Sequence, residues 1–203
     1  GIDELKLTVE QCLASLPAQE TQSPWCYVDR VFTVKGSGTI ITGTLRGGAL
    51  RRDQSLLVLP GRSSVKIRGL QTYHSAVQEV SPVSRVALNL QGVKREEISR
   101  GTLLTTTDSR FSTASEFVAR LTDMVPDGQS SAADSPGSRR FRNHGEVEIA
   151  LGTAHTVATI HLMGTEGIAR FVLSAPVAAS VNQPFVLIQH GGSGIIGGGR
   201  IYR

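Results

Sequence analysis

Twenty residues from Asp29 to Gly48, DRVFTVKGSGTIITGTLRGG, constrain the fold more tightly than any other stretch of this chain. Phe32, Val34, Ile40, Ile41 and Thr42 are β-branched or aromatic and lie on either side of Gly36-Ser37-Gly38. Glycine reaches positive φ without a steric cost, so a Gly-x-Gly insert between two such runs predicts a hairpin. Gly43 then falls inside the second strand, where a missing side chain marks a bulge or the close approach of another backbone. So much glycine also invites a nucleotide-site reading, and the residues exclude two forms of it. A Rossmann turn needs a third glycine where Ile41 stands and a helix afterwards, whereas Ile-Ile-Thr-Gly-Thr-Leu has strand composition. No Gly-Lys pair occurs in the chain, so a P-loop is excluded as well.

The remaining sequence divides by period. Leu5, Val9, Cys12, Leu13 and Leu16 repeat at helical spacing, Asp3 is placed to cap the start, and Pro17 stands where the pattern stops, so residues 1–22 read as one amphipathic helix and a polar linker. As a free-standing element this helix is expected to pack its apolar stripe on the body. From Trp25 the period becomes two, and strands are predicted near 25–34, 39–46, 55–59, 64–73, 84–90 and 102–106. Short strands at such regular spacing indicate a closed barrel or a sandwich. A short linker is expected between Asp108 and Thr113, followed by strands at Phe117–Leu121, 146–151, 155–163, 167–174, 184–189 and 194–202. Residues 124–140 hold almost no large apolar side chain and read as a mobile loop.

With 203 residues, 39% of them hydrophobic, the chain suits one to two compact domains. No run approaches the ~20 apolar residues needed to cross a bilayer as a helix, and no signal pattern opens the chain. Gly1 stands where an initiator methionine would, which predicts a piece of something longer. Cys12 and Cys26 are too few for a zinc site or a disulfide framework, and a reducing cytoplasm is expected. The first 23 residues hold four of the 17 acidic groups and one of the 21 basic ones, so the body is more basic than the net charge of +4 suggests. A basic β-rich body predicts an anionic partner, nucleic acid first, although a solvated surface alone can carry such an excess. The five histidines show no metal spacing, and His155 and His161 read as ordinary barrel residues. No Gly-x-Ser-x-Gly elbow is present, so neither a metal nor a catalytic site is expected.

Asp29 to Gly48 resembles the opening hairpin of the second domain of translational GTPases, and most closely that of the SelB family of selenocysteine-specific elongation factors. In that family an Asp-Arg pair leads into Phe-Thr-Val-Lys-Gly-x-Gly-x-x-x-Thr-Gly-Thr. Arg85 to Leu90 and Lys94 to Gly101 are similar to the later strand and the closing Arg-Gly turn of the same domain. Generic elongation factor Tu shares the glycines and the turn but usually lacks the Asp-Arg opening. Arg52-Asp53 departs from the family's usual Gly-Asp at a turn. Gly1 to Lys6 is similar to the last helix of the family's GTP-binding domain, and Phe185 to Gly199 to the end of its third domain. The resemblance is close over 25–106 and looser over 113–203. It implies an all-β body of two consecutive antiparallel β-barrels after one short α-helix. Its divisions would be 1–22, the C-terminal helix of the GTP-binding domain and its linker; 23–108, the domain 2 barrel; and 113–203, the domain 3 barrel.

The resemblance also implies a function, the tRNA-binding portion of a factor that delivers selenocysteinyl-tRNA to the ribosome. The family's aminoacyl pocket maps onto Asp29, Arg30 and Arg85. A selenol is more acidic than a thiol, so two permanent guanidinium charges would favour selenocysteine over neutral serine, with Asp29 orienting one of them through a bidentate pair. Gln189, His190, Gly191 and Gly192 map onto the third-domain segment near the T stem. No cofactor or enzymatic activity is implied for this chain; GTP and magnesium would belong to the parent's GTP-binding domain. Further partners implied are that domain and C-terminal domains that read an RNA hairpin, in the cytoplasm and with no membrane. Two rivals stay open, an equivalent piece of a generic elongation factor Tu-like or initiation-factor tRNA carrier, and a β-barrel interaction module with no RNA role.

Overall fold

The computed structural model describes residues 1–15, 22–36, 38–122, 143–164, 167–191 and 194–203. The first barrel is built from β1 (Trp25–Val34), β2 (Gly38–Arg46), β4 (Ser55–Leu59), β5 (Ser63–Thr72), β8 (Ser84–Gln91) and β9 (Leu103–Thr105). Its strand order is β4-β9-β1-β2-β8-β5, and β5 pairs back onto β4 to close the wall. Three short strands decorate it: β6 (Ser75–Ala76) extends β5, while β3 (Leu50–Arg51) pairs with β7 (Glu79–Val80). Closure lets alternate residues fill one interior, so β2 reads buried at every second position and Ile41, Leu45, Ile67, Leu88 and Leu104 meet in one core. The hairpin turn lies where Gly36 and Gly38 adopt φ of +81° and +88°.

The second barrel closes in the order β10-β13-β12-β11-β14-β15. Its strands are β10 (Ser112–Thr122), β11 (Glu146–Leu151), β12 (Ala154–Met163), β13 (Ile168–Ala179), β14 (Pro184–Gln189) and β15 (Ile195–Ile201). Phe117, Phe171 and Phe185 form its centre, with ring centroids 5.4–5.5 Å apart. Aromatic rings at that separation add to the area they bury.

Three expectations change. Helix α1 (Ile2–Ser15) buries none of its residues, and Leu5, Val9 and Leu13 are 63%, 47% and 63% exposed, so the packing expected of the apolar stripe is not there. Asp3 sits inside the first turn, since the helix already starts at Ile2, and so does not cap it; Leu16 and Pro17 lie outside the described residues. Strand β10 begins at Ser112, five residues before Phe117, because Ser112–Ala114 pair with Val177–Ala179 across a bulge. Small polar residues give a weak strand signal, and tertiary pairing supplies what composition lacks. The predicted loop at 124–140 lies outside the described residues.

The barrels share a small third core. Tyr27, Leu59 and Leu103 of the first, Phe111 of the connection and Ala178 of the second cluster together, with Trp25 packed beside them. The Tyr27 hydroxyl donates to the Ala178 carbonyl at 2.6 Å and accepts from Gln183 Nε2 at 2.9 Å. Nearby, Thr153 Oγ1 donates to the Val28 carbonyl at 2.7 Å.

Candidate functional site

The candidate site begins with an irregularity in β1. Val28 pairs with Gly43 and Arg30 with Thr42, so Asp29 is an extra residue with no partner opposite it. In an unbroken strand, neighbours face opposite sides; a bulge re-aims them. Val28 is buried in the core and Val31 packs against it, while both Asp29 and Arg30 emerge on the outer face. Gly43, opposite the bulge, allows the close approach anticipated for it, since a Cβ there would lie 2.4 Å from both Cys26 Sγ and the Tyr27 carbonyl oxygen.

Arg85 reaches the same face from β8. It pairs with Thr44 of β2, and its Nη1 forms an ion pair with Asp29 Oδ2 and donates to Thr44 Oγ1 at 2.9 Å. A bidentate fork does not form, because one guanidinium nitrogen serves both oxygens and the other donors stay available. The pair is half open to water, with the Asp29 and Arg85 side chains 28% and 56% exposed. Exposed pairs add at most about 1 kcal/mol to stability, so the contact chiefly fixes where Arg85 points. Beneath it Cys26 is fully buried, and its thiol is pushed up to about 12 by burial, then by the Asp29 charge, against the lowering effect of Arg85.

Arg30 is exposed opposite Thr42, which in turn pairs with Ala87, so a floor of small side chains lies beside it. It has no ion pair with a described residue. Asp29, Arg30 and Arg85 thus share one outer sheet face, with only Asp29 and Arg85 in contact. Of this group Asp29 and Thr44 also line a cleft between the barrels, which the two arginines do not. Thr44 went unremarked in the sequence; it is legible only once β2 is aligned with β8.

The other predicted segment ends β14. Gln189 donates its N–H to the Gly194 carbonyl at 3.0 Å, Gly191 has φ of +70° with open space around it, and Gly192 lies outside the described residues. His190 faces two carboxylates that sequence reasoning missed. Its Nδ1 is 3.5 Å from Glu148 Oε1 and its Nε2 3.5 Å from Glu146 Oε2, while Glu148 Oε2 is 3.0 Å from His155 Nε2. The Gly191 N–H also donates to Glu148 Oε1 at 3.4 Å. The register that pairs Val147 with Gln189 brings these groups together, a relation invisible before β11 and β14 are placed side by side.

The turn that carries Gly36 and Gly38 does not suit a triphosphate. The described Gly-rich turn joins β1 to β2 rather than opening a helix, so its N–H groups lack the helix terminus that cradles phosphate.

Residues 38–105 match the family model described as elongation factor Tu domain 2. Over those residues the first barrel is similar to elongation factor Tu domain 2. The chain is also 31% identical over 123 residues to the selenocysteine-specific elongation factor of Methanocaldococcus jannaschii, an overlap of 60% of this chain and 26% of that protein. It is 39% identical over 106 residues to that of Desulfomicrobium baculatum, covering 51% of this chain and 17% of the relative. The chain thus spans about a quarter or less of these relatives. The elongation factor SelB of Methanococcus maripaludis, solved with the GTP analogue GPPNHP, superposes with a TM-score of 0.77 at 24% identity over all of this chain and 48% of its own. That likeness extends the elongation-factor fold to both barrels and to the helix.

Proposed function

We propose that these barrels are the tRNA-binding portion of a selenocysteine-specific elongation factor, with the aminoacyl group held on the outer face of domain 2. One observation carries this reading: a bulge turns Asp29 and Arg30 to the same face, where Asp29 and Thr44 hold Arg85. Arg85 is directed but partly neutralised. Arg30, unlike Arg85, has no carboxylate partner among the described residues, and the small Thr42–Ala87 floor leaves room beside it. A selenolate would gain from Arg30 directly and from the unused donors of Arg85, whereas a neutral serine hydroxyl would gain little. The 31–39% identity to factors of this name supports the reading over a generic carrier. Delivery to the ribosome, GTP hydrolysis with magnesium and recognition of an RNA hairpin would then belong to the intact factor in the cytoplasm.

The test compares selenocysteinyl-tRNA with seryl-tRNA at fixed salt, using the intact factor and its Arg30→Ala and Arg85→Ala forms. A charge-assisted contact is worth about 1.5–3 kcal/mol, so selenocysteinyl-tRNA should lose roughly 10- to 150-fold in affinity. Equal losses for both tRNAs would show that the arginines hold phosphate or structure instead.

A further inference from the structure

Closure of the first barrel stops short at one end of β1. The strand pairs with β2 from Trp25 to Val34, but with β9 only from Trp25 to Tyr27, and a last pair of backbone bonds joins Val28 to Gly101 and Thr102. From Arg30 to Val34 its other edge has no strand beside it among the described residues. Alternate N–H and C=O groups there point away from β2, which leaves them to water or to an added strand. The outer face of the same segment is apolar. Val31 packs against the core, so alternation turns Phe32 and Val34 outward, where they are 41% and 43% exposed, and the half-buried Ile40 lies opposite Phe32 on that face. Arg30 and Lys35 stand at the two ends of the edge, and neither has a carboxylate partner among the described residues. The single helical turn at Arg95–Glu97 lies beside β1, so Lys94 and Arg95 add to the positive charge there and Glu96 and Glu97 offset part of it.

Charge decides what can occupy this edge. A second copy paired symmetrically through it would set Arg30 against Lys35, and a parallel pairing would set each cation against its own counterpart, so both place like charges opposite one another. An RNA strand would meet the cations but leave the row of backbone groups and the valine unmatched. We propose that the free edge of β1 receives an extended acidic peptide from another protein as an added strand. Its backbone bonds the unpaired groups between Arg30 and Val34, its alternate apolar side chains lie over Phe32 and Val34, and a carboxylate meets Lys35. This inference does not rest on the aminoacyl reading, and its test leaves Asp29, Arg30 and Arg85 unaltered.

The probe is a blocked peptide in which valine alternates with threonine between aspartates at both ends. It is titrated into the 203-residue chain by calorimetry, and amide hydrogen exchange is read on the same complex. Saturable binding is expected, with exchange slowed at alternate amides between Arg30 and Val34. Lys35→Glu and Phe32→Ser should each weaken binding by roughly tenfold. Arg68→Glu, at an exposed position of β5, should leave it unchanged. An added strand bonds through one of its edges, so N-methylation of one alternate set of peptide amides should abolish binding and methylation of the other set should be tolerated. Absence of saturable binding, equal effects of the two methylated sets, or indifference to both Lys35→Glu and Phe32→Ser with circular dichroism unchanged would overturn the proposal. So would protection of these amides by a short oligouridylate and not by the peptide, or by self-association of the free chain. None of these outcomes bears on the comparison of selenocysteinyl- and seryl-tRNA.

Discussion

The Tyr27 hydroxyl spans the seam to the Ala178 carbonyl, joining residues 151 positions apart in the chain at 2.6 Å. The same oxygen accepts from Gln183, so both capacities of the phenol are used in a site that leaves Tyr27 only 5% exposed. Tyr27→Phe keeps the ring and strands the Ala178 carbonyl. Such an orphaned buried acceptor costs about 1–3 kcal/mol, and calorimetry should show the loss as a lower unfolding temperature. An unchanged melting profile would mean that the Tyr27 hydroxyl adds nothing to the joint between the barrels.

Gly152 makes the same seam possible from the other side. Its φ is +60°, and a Cβ there would lie 2.6 Å from two carbons of the Tyr27 ring. Gly152→Ala therefore combines backbone strain with a clash against a ring that cannot retreat without breaking its hydrogen bonds. A loss of more than about 1 kcal/mol is expected in denaturant unfolding, larger than for alanine at Gly164, which also has positive φ but open space.

The seam also sets an alkaline limit. Burial pushes Tyr27 from 10.0 up to about 12, against the lowering effect of its Gln183 hydrogen bond, and burial pushes Cys26 from 9.0 up to about 12. Both groups are neutral when protonated, and in each the folded value lies above the unfolded one. Their contribution is complete below pH 9.0 and is lost as pH rises from there through about 12, because the unfolded chain ionises first. Unfolding free energy should fall across that window, and Tyr27→Phe should flatten the part that begins at pH 10.0.

How far the sequence disclosed this molecule follows from what each signal depends on. Strands such as β4 at Ser55–Leu59 and β11 at Glu146–Leu151 begin and end where their own alternation does, so periodicity located them. The start of β10 at Ser112 depends on β13, sixty-odd residues later, and no local pattern carries it. The site divides in the same way. Asp29, Arg30 and Arg85 were legible through a family motif, and Gly43 through its place inside a strand. Their arrangement was not, because the bulge that turns Asp29 outward and the Thr44 contact are relations of register between strands. Glu146 and Glu148 stayed hidden for the same reason, and they add negative charge beside a turn read as approaching RNA phosphate.

That charge makes the turn testable. Phosphate near His190 would meet the carboxylates of Glu146 and Glu148, so Glu148→Gln should strengthen tRNA binding by the intact factor if the turn lies against the backbone. The gain is expected to be about twofold to tenfold and to shrink with salt. Unchanged affinity, together with unchanged affinity in Gly191→Val, would remove this turn from the RNA interface.

The Asp29–Arg85 pair can be observed through the thiol beneath it. Burial sets most of the elevation of Cys26, the Asp29 charge adds to it, and Arg85 opposes it. Asp29→Asn keeps the shape of the side chain and removes the charge that disfavours a thiolate, while Arg85 stays close. The Cys26 value should therefore fall from about 12, and Arg85→Gln should move it the opposite way. Thiolate absorbance in a Cys12→Ser background isolates the one buried thiol, since these are the only two cysteines. Stability should change by no more than about 1 kcal/mol in either variant, as for other exposed pairs. If both variants move the thiol in the same direction, the change has come from altered burial, and the two side chains do not face each other over Cys26 in solution.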